Sequence, residues 1–89
     1  MAKGATIHEL ISLENKKQTI CAGITEKLQP MGCRSCHLCF SDGLFDKPSY
    51  YVVIRGTHGW QRYRKIIDIE KENEEIINEV VSYIMLERL

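Results

Sequence analysis

Two β-rich runs, Tyr50-Tyr51-Val52-Val53-Ile54-Arg55 and Trp60-Gln61-Arg62-Tyr63-Arg64-Lys65-Ile66-Ile67, flank the tetrapeptide Gly56-Thr57-His58-Gly59. No other stretch narrows the fold as much. β-Branched and aromatic side chains suit a pleated, half-buried surface, and a short glycine-bounded connection between two such runs marks an antiparallel hairpin. With Gly56–Gly59 as the whole connection, Arg55 pairs with Trp60 and Tyr50 with Lys65. One face then carries Tyr50, Val52, Ile54, Gln61, Tyr63, Lys65 and Ile67. The other carries Tyr51, Val53, Arg55, Trp60, Arg62, Arg64 and Ile66, which mixes three arginines with two aromatics. The first is the better core face.

Helices are expected on both sides of this hairpin. Residues 68–89 place Ile76, Ile77, Val80, Val81, Ile84 and Met85 on one stripe, widened by Tyr83. Asp68 is positioned to cap that helix, Glu70 and Glu72 fall in or near its first turn, and Arg88 falls in its last. Residues 5–29 begin with Thr6-Ile7-His8-Glu9, the form of a capping box. Ile7, Leu10, Ile11 and Leu13, then Ile20, Cys21, Ile24 and Leu28, give one apolar side if Lys17 lays its stem along the seam. The competing reading breaks this helix near Lys16–Gln18 and makes residues 18–24 a strand. Gln29-Pro30 ends the element either way. Residues 31–49, with turn sequences at Ser41-Asp42-Gly43 and Asp46-Lys47-Pro48-Ser49, are expected to be an irregular loop.

The sum is one small α+β domain over residues 1–89: N-terminal helix, cysteine-containing loop, two-stranded antiparallel hairpin and C-terminal amphipathic helix. A chain of 89 residues has a thin core. Two strands and two helices would leave a sheet edge and much of the Ile76–Met85 stripe uncovered, so homodimerisation is expected to complete the fold.

The loop holds Gly32-Cys33-Arg34-Ser35-Cys36-His37-Leu38-Cys39-Phe40, with three of the four cysteines at strict three-residue spacing. Zinc takes four N or S ligands in a tetrahedron, and C-x2-C pairs suit it when one tight turn aims both thiolates at the ion. Cys33, Cys36 and Cys39 supply three, and Cys21 would complete an all-cysteine site, with His37, His58 or His8 as other fourth ligands. An iron–sulfur cluster is the alternative, since the ferredoxin run matches at its first three cysteines; its fourth position is Gly43 here. A long loop with little else to hold it argues for a bound ion. A thiol redox sensor and four unliganded thiols are the remaining readings.

Twelve basic and twelve acidic residues cancel, but not locally. Residues 1–49 carry six bases against five acids, residues 50–65 carry four bases and no acid, and residues 66–89 carry two bases against seven acids. The basic–aromatic hairpin, with Arg55, His58, Trp60, Arg62, Arg64 and Lys65, therefore suits nucleic acid, through phosphate pairing and base stacking. Trp, Tyr and Arg also dominate protein–protein hot spots, so a protein-binding inhibitor or adaptor is the alternative, through that face or the C-terminal helix. Two bland roles compete: Trp60 covering the end of the core, and C-terminal acids such as Glu72, Glu75 or Glu79 neutralising the arginines. No H-E-x-x-H, G-x-S-x-G or phosphate loop occurs, and an enzyme is not expected. Met1–Lys27 has no uninterrupted apolar run and no window has the length of a membrane span. The chain thus reads as a cytoplasmic, non-catalytic regulatory protein away from membranes.

Overall fold

A computed structural model describes residues 7–43, 47–57 and 59–88, with side chains from residue 11 to residue 87 inside those ranges. The Thr6–Glu9 capping box, the Asp46 turn position, His58 and the Arg88 side chain lie outside the described residues. The element order is helix α1 (Ile7–Leu28), a 3-10 turn (Gln29–Met31), strands β1 (Cys33–Ser41), β2 (Ser49–Gly56) and β3 (Tyr63–Ile67), and helix α2 (Asn73–Arg88). The strands form one antiparallel sheet in the order β1-β2-β3. Both helices lie on one face, α1 over β1 and α2 over β3, and meet each other above the central strand.

The protein is therefore α+β, with three strands where the hairpin alone would give two. The third strand is the cysteine segment, expected to be an irregular loop. Taken as prospective ligands, its cysteines hide an ordinary period-two pattern: Cys36, Leu38 and Phe40 share one face, and an unliganded cysteine behaves as a small apolar residue. β1 pairs with β2 from Cys33↔Gly56 to Ser41↔Ser49, with a bulge between Cys33 and Ser35. α1 is continuous through Leu28, so the alternative strand over residues 18–24 does not form, and Gln29-Pro30 does end the helix. Ile20, Ile24 and Leu28, four residues apart, are fully buried, whereas Ile11 is exposed. Gly23 sits where α1 meets α2: a Cβ built there would lie 2.5 Å from Ile77 Cδ1.

The stripe on α2 is covered within the chain. Ile76, Ile77, Val80, Val81 and Ile84 join Ile20, Ile24, Leu28, Val52, Ile54, Tyr63 and Ile67 in one core, leaving Met85 and Leu86 exposed. The expectation that a second chain must cover that stripe thus loses its premise. Asp68 does not cap α2, which starts five residues later at Asn73. Its Oδ1 instead accepts the Glu70 N–H at 3.0 Å and its carbonyl accepts from Lys71 N at 3.2 Å. That turn is what Asp favours when the chain must leave a sheet for the next layer. Lys16 Nζ donates to Lys71 O at 2.8 Å, tying the turn to α1.

Candidate functional site

The hairpin register differs from the sequence expectation. Tyr50 pairs with Ile67, Val52 with Lys65 and Ile54 with Tyr63, so the connection runs from Thr57 to Arg62 and Trp60 stands outside the strand. The cause is the indole. Trp60 lies against Gly56, donates from Nε1 to the Met31 carbonyl at 3.0 Å, and meets Tyr63 edge-on at 5.9 Å. Gly32 (φ 109°) allows the approach, since a Cβ there would fall 2.8 Å from the indole nitrogen. Tyr50 has moved from Lys65 to Ile67, two positions. An even shift keeps parity, so the side chains that stay within the paired strands keep their expected faces, while Trp60, Gln61 and Arg62 leave the strand and Trp60 moves to the core end.

The outer face is built from all three strands. Alternation and the two registers put Ser35 beside Arg55 in one row, His37, Val53 and Arg64 in the next, and Cys39, Tyr51 and Ile66 in a third. No described element packs on this face. His37, Arg55, Arg64 and Ile66 are exposed, and Val53 is buried beneath its longer neighbours. The Arg64 guanidinium lies 4.0 Å from the centre of the Tyr51 ring, a cation–π contact between adjacent rows. The strands contain no aspartate or glutamate, while Arg34, Arg55, Arg64 and Lys65 stand on them.

The expected binding residues therefore separate into groups. Arg55 and Arg64 share the open face. Arg62 is exposed in the connection beside it. Lys65 points to the helix side, its Nζ 5.4 Å from the centre of the Tyr83 ring on α2. Trp60 is the partly buried cover of the core end described above. The acids of α2 do not reach the arginines of the open face, because the sheet separates them. Glu79 of α2 pairs instead with Lys71, at 2.6 Å. Ser35 and Cys39 are not legible in the sequence as members of this face, and His37 shows there only as a possible ligand, because the cysteine spacing and flanking turns point to a loop.

The cysteines do not converge as the spacing suggested. On an extended strand, residues three apart point to opposite faces. Cys36 faces the core and Cys39 the open face; the bulge at Arg34 returns Cys33 to the core side. All four are free thiols, and among the described residues no group of three or more His, Cys, Asp and Glu side chains is placed to hold a metal ion. Zinc and iron–sulfur binding remain expectations of the spacing alone. A different pairing appears instead: Cys21 on α1 and Cys36 on β1 line the same two clefts, near enough for a thiol–thiol hydrogen bond. That bond, the Leu38 backbone N–H and the Lys17 ammonium lower the Cys21 pKa against the opposing effect of burial. The same bond, together with burial, raises that of Cys36. Burial also pushes Cys33 up.

Comparison with known proteins finds no matching family model, no matching curated protein and no matching solved structure. The fold and face define a class in physical terms only: an α+β domain with two helices on one side of a three-stranded sheet and the other side open. No helix among the described residues is long and apolar enough to cross a membrane.

Proposed function

We propose that the open sheet face binds single-stranded nucleic acid, and that the protein acts as a non-catalytic regulatory module. The observation that carries this reading is the segregation of charge by layer. The strands hold only basic charges, while α2 and the turn before it hold Asp68, Glu70, Glu72, Glu74, Glu75, Glu79 and Glu87 against Lys71 and Arg88. Net neutrality thus conceals a polarity that orients a polyanion toward the sheet. The Arg64–Tyr51 pair offers a planar surface for a base, flanked by Arg55 and His37 for phosphates. A flat sheet face suits unpaired bases better than a duplex, whose major groove admits a protruding helix or narrow ribbon.

The test is binding of a mixed-sequence single-stranded DNA or RNA oligonucleotide across about 50 to 200 mM salt. Affinity should fall with salt, and Arg55→Ala and Arg64→Ala should each flatten the log–log slope by about 0.7, the single-strand value per phosphate contact. Lys65→Ala, on the helix side, should leave the slope unchanged. Bound oligonucleotide should also protect Cys39 from alkylation. No salt-sensitive association with DNA or RNA, or a slope that responds to Lys65 and not to Arg55 and Arg64, overturns the reading.

A further inference from the structure

The seam between α1 and β1 holds a chemical arrangement that the open face does not use. Cys21 sits on the inner side of α1, half-buried, and Cys36 opposite it is buried on β1. Both residues line two separate surface clefts. One cleft includes Thr25, Glu26, Gln29 and Ser35; the other includes Glu14, Lys17, Gln18 and His37. Solvent thus reaches the half-buried Cys21 through clefts that open toward both ends of α1. Lys17 stands one turn before Cys21 on α1 and lines the second cleft with it, and Cys21 is the more exposed of the two thiols. Cys33 is turned away, its Sγ donating to Ser35 O at 3.7 Å.

From this geometry we infer that Cys21 and Cys36 form a reversible dithiol–disulfide couple, oxidised by low-molecular-weight disulfides and linking α1 to β1. The Cys21 thiolate attacks one sulfur of the small disulfide; a mixed disulfide forms and one small thiolate leaves. The Cys36 thiol gives up its proton and attacks the Cys21 sulfur, expelling the second small thiolate. One small disulfide becomes two small thiols, and the protein loses two hydrogens. Excess small thiol reverses both steps. Cys21 is the attacking group because it is the more exposed and Lys17 lines the same cleft; Cys36 is the resolving group because it is buried and borders both clefts with Cys21.

The couple is tested on the native full chain with oxidised glutathione, followed by alkylation and peptide mapping. Titratable thiols should fall from four to two, and a linked peptide pair should contain Cys21 and Cys36. Reduced glutathione should restore all four thiols. In Cys36→Ser the reaction should stop at one glutathione on Cys21, and Cys39→Ser should leave the Cys21–Cys36 link intact. The wild-type measurement stands even if Cys36→Ser folds poorly. Glutathione on Cys39 alone, a link joining any other pair, or four thiols surviving an oxidant excess overturns the inference. None of these outcomes bears on nucleic-acid binding, which concerns the opposite face of β1.

Discussion

Gly56→Ala should destabilise the native protein yet stabilise a variant that lacks Trp60. The reversal follows from one contact. A Cβ at Gly56 would fall inside the indole of Trp60, whose bonded rings cannot deform around it, so the ring must leave. Its departure loses the hydrogen bond to Met31 O, worth about 1 kcal/mol, and the edge-on contact with Tyr63, worth about 1 kcal/mol. Against this, alanine is preferred to glycine within a strand by roughly 0.5–1 kcal/mol. The net cost is about 1–1.5 kcal/mol, which in a domain of this size lowers Tm by roughly 4–12 °C. With Trp60→Ala in place the clash is gone and only the strand gain remains, so adding Gly56→Ala should raise stability by roughly 0.5–1 kcal/mol.

Urea titration followed by far-ultraviolet circular dichroism measures all four members of this cycle, including those without the indole. The chain has a single tryptophan, so its emission reports the ring directly and should shift to longer wavelength in Gly56→Ala. If Gly56→Ala has the same sign and size in both backgrounds, the two sites are uncoupled and the reasoning fails. An unshifted emission maximum would refute the displacement itself.

The core and the thiols give two further tests. Ile54 is fully buried on the central strand beneath both helices, so Ile54→Ala should cost about 2–5 kcal/mol by chemical denaturation. Ile66→Ala, on the open face where the side chain is 62% exposed, should cost far less. Thiolate is the reactive form of cysteine and its fraction rises with pH through the pKa. The lowered Cys21 pKa therefore brings its alkylation by iodoacetamide to half-maximum at a lower pH in the folded chain than in urea. Cys33, raised by burial, should move the opposite way; peptide mapping across a pH series reads both.

The legible parts of the sequence were those where a repeating pattern was long enough to outvote chemistry. The hairpin runs and the α2 stripe each repeat an apolar position several times, and the structure uses both. The face assignment survived even a wrong connection length, because displacing the pairing by two keeps side-chain parity. β1 was illegible for the opposite reason. Its inward positions are Cys36, Leu38 and Phe40, and the residue that most suggests a ligand stands in the row where a valine would have announced a strand. The helix start at Asn73 was missed because Asp serves a cap and a turn equally well, and only the tertiary path decides between them.

Reading β1 as a strand changes what the arginines mean. As a two-stranded ribbon the hairpin would present Arg55, Arg62 and Arg64 together on one narrow face, with Lys65 on the other. Adding β1 makes β2 central and lets the two helices cover most of one face, leaving Phe40 exposed at its end. It divides the four basic residues by geometry, with Arg55 and Arg64 on the open side, Lys65 against Tyr83, and Arg62 in the connection. It also sorts the cysteines, giving Cys39 to the open face and Cys36 to the seam with Cys21. One element thus underlies both proposals: nucleic-acid binding on a three-stranded face, and a cysteine pair that spans two elements.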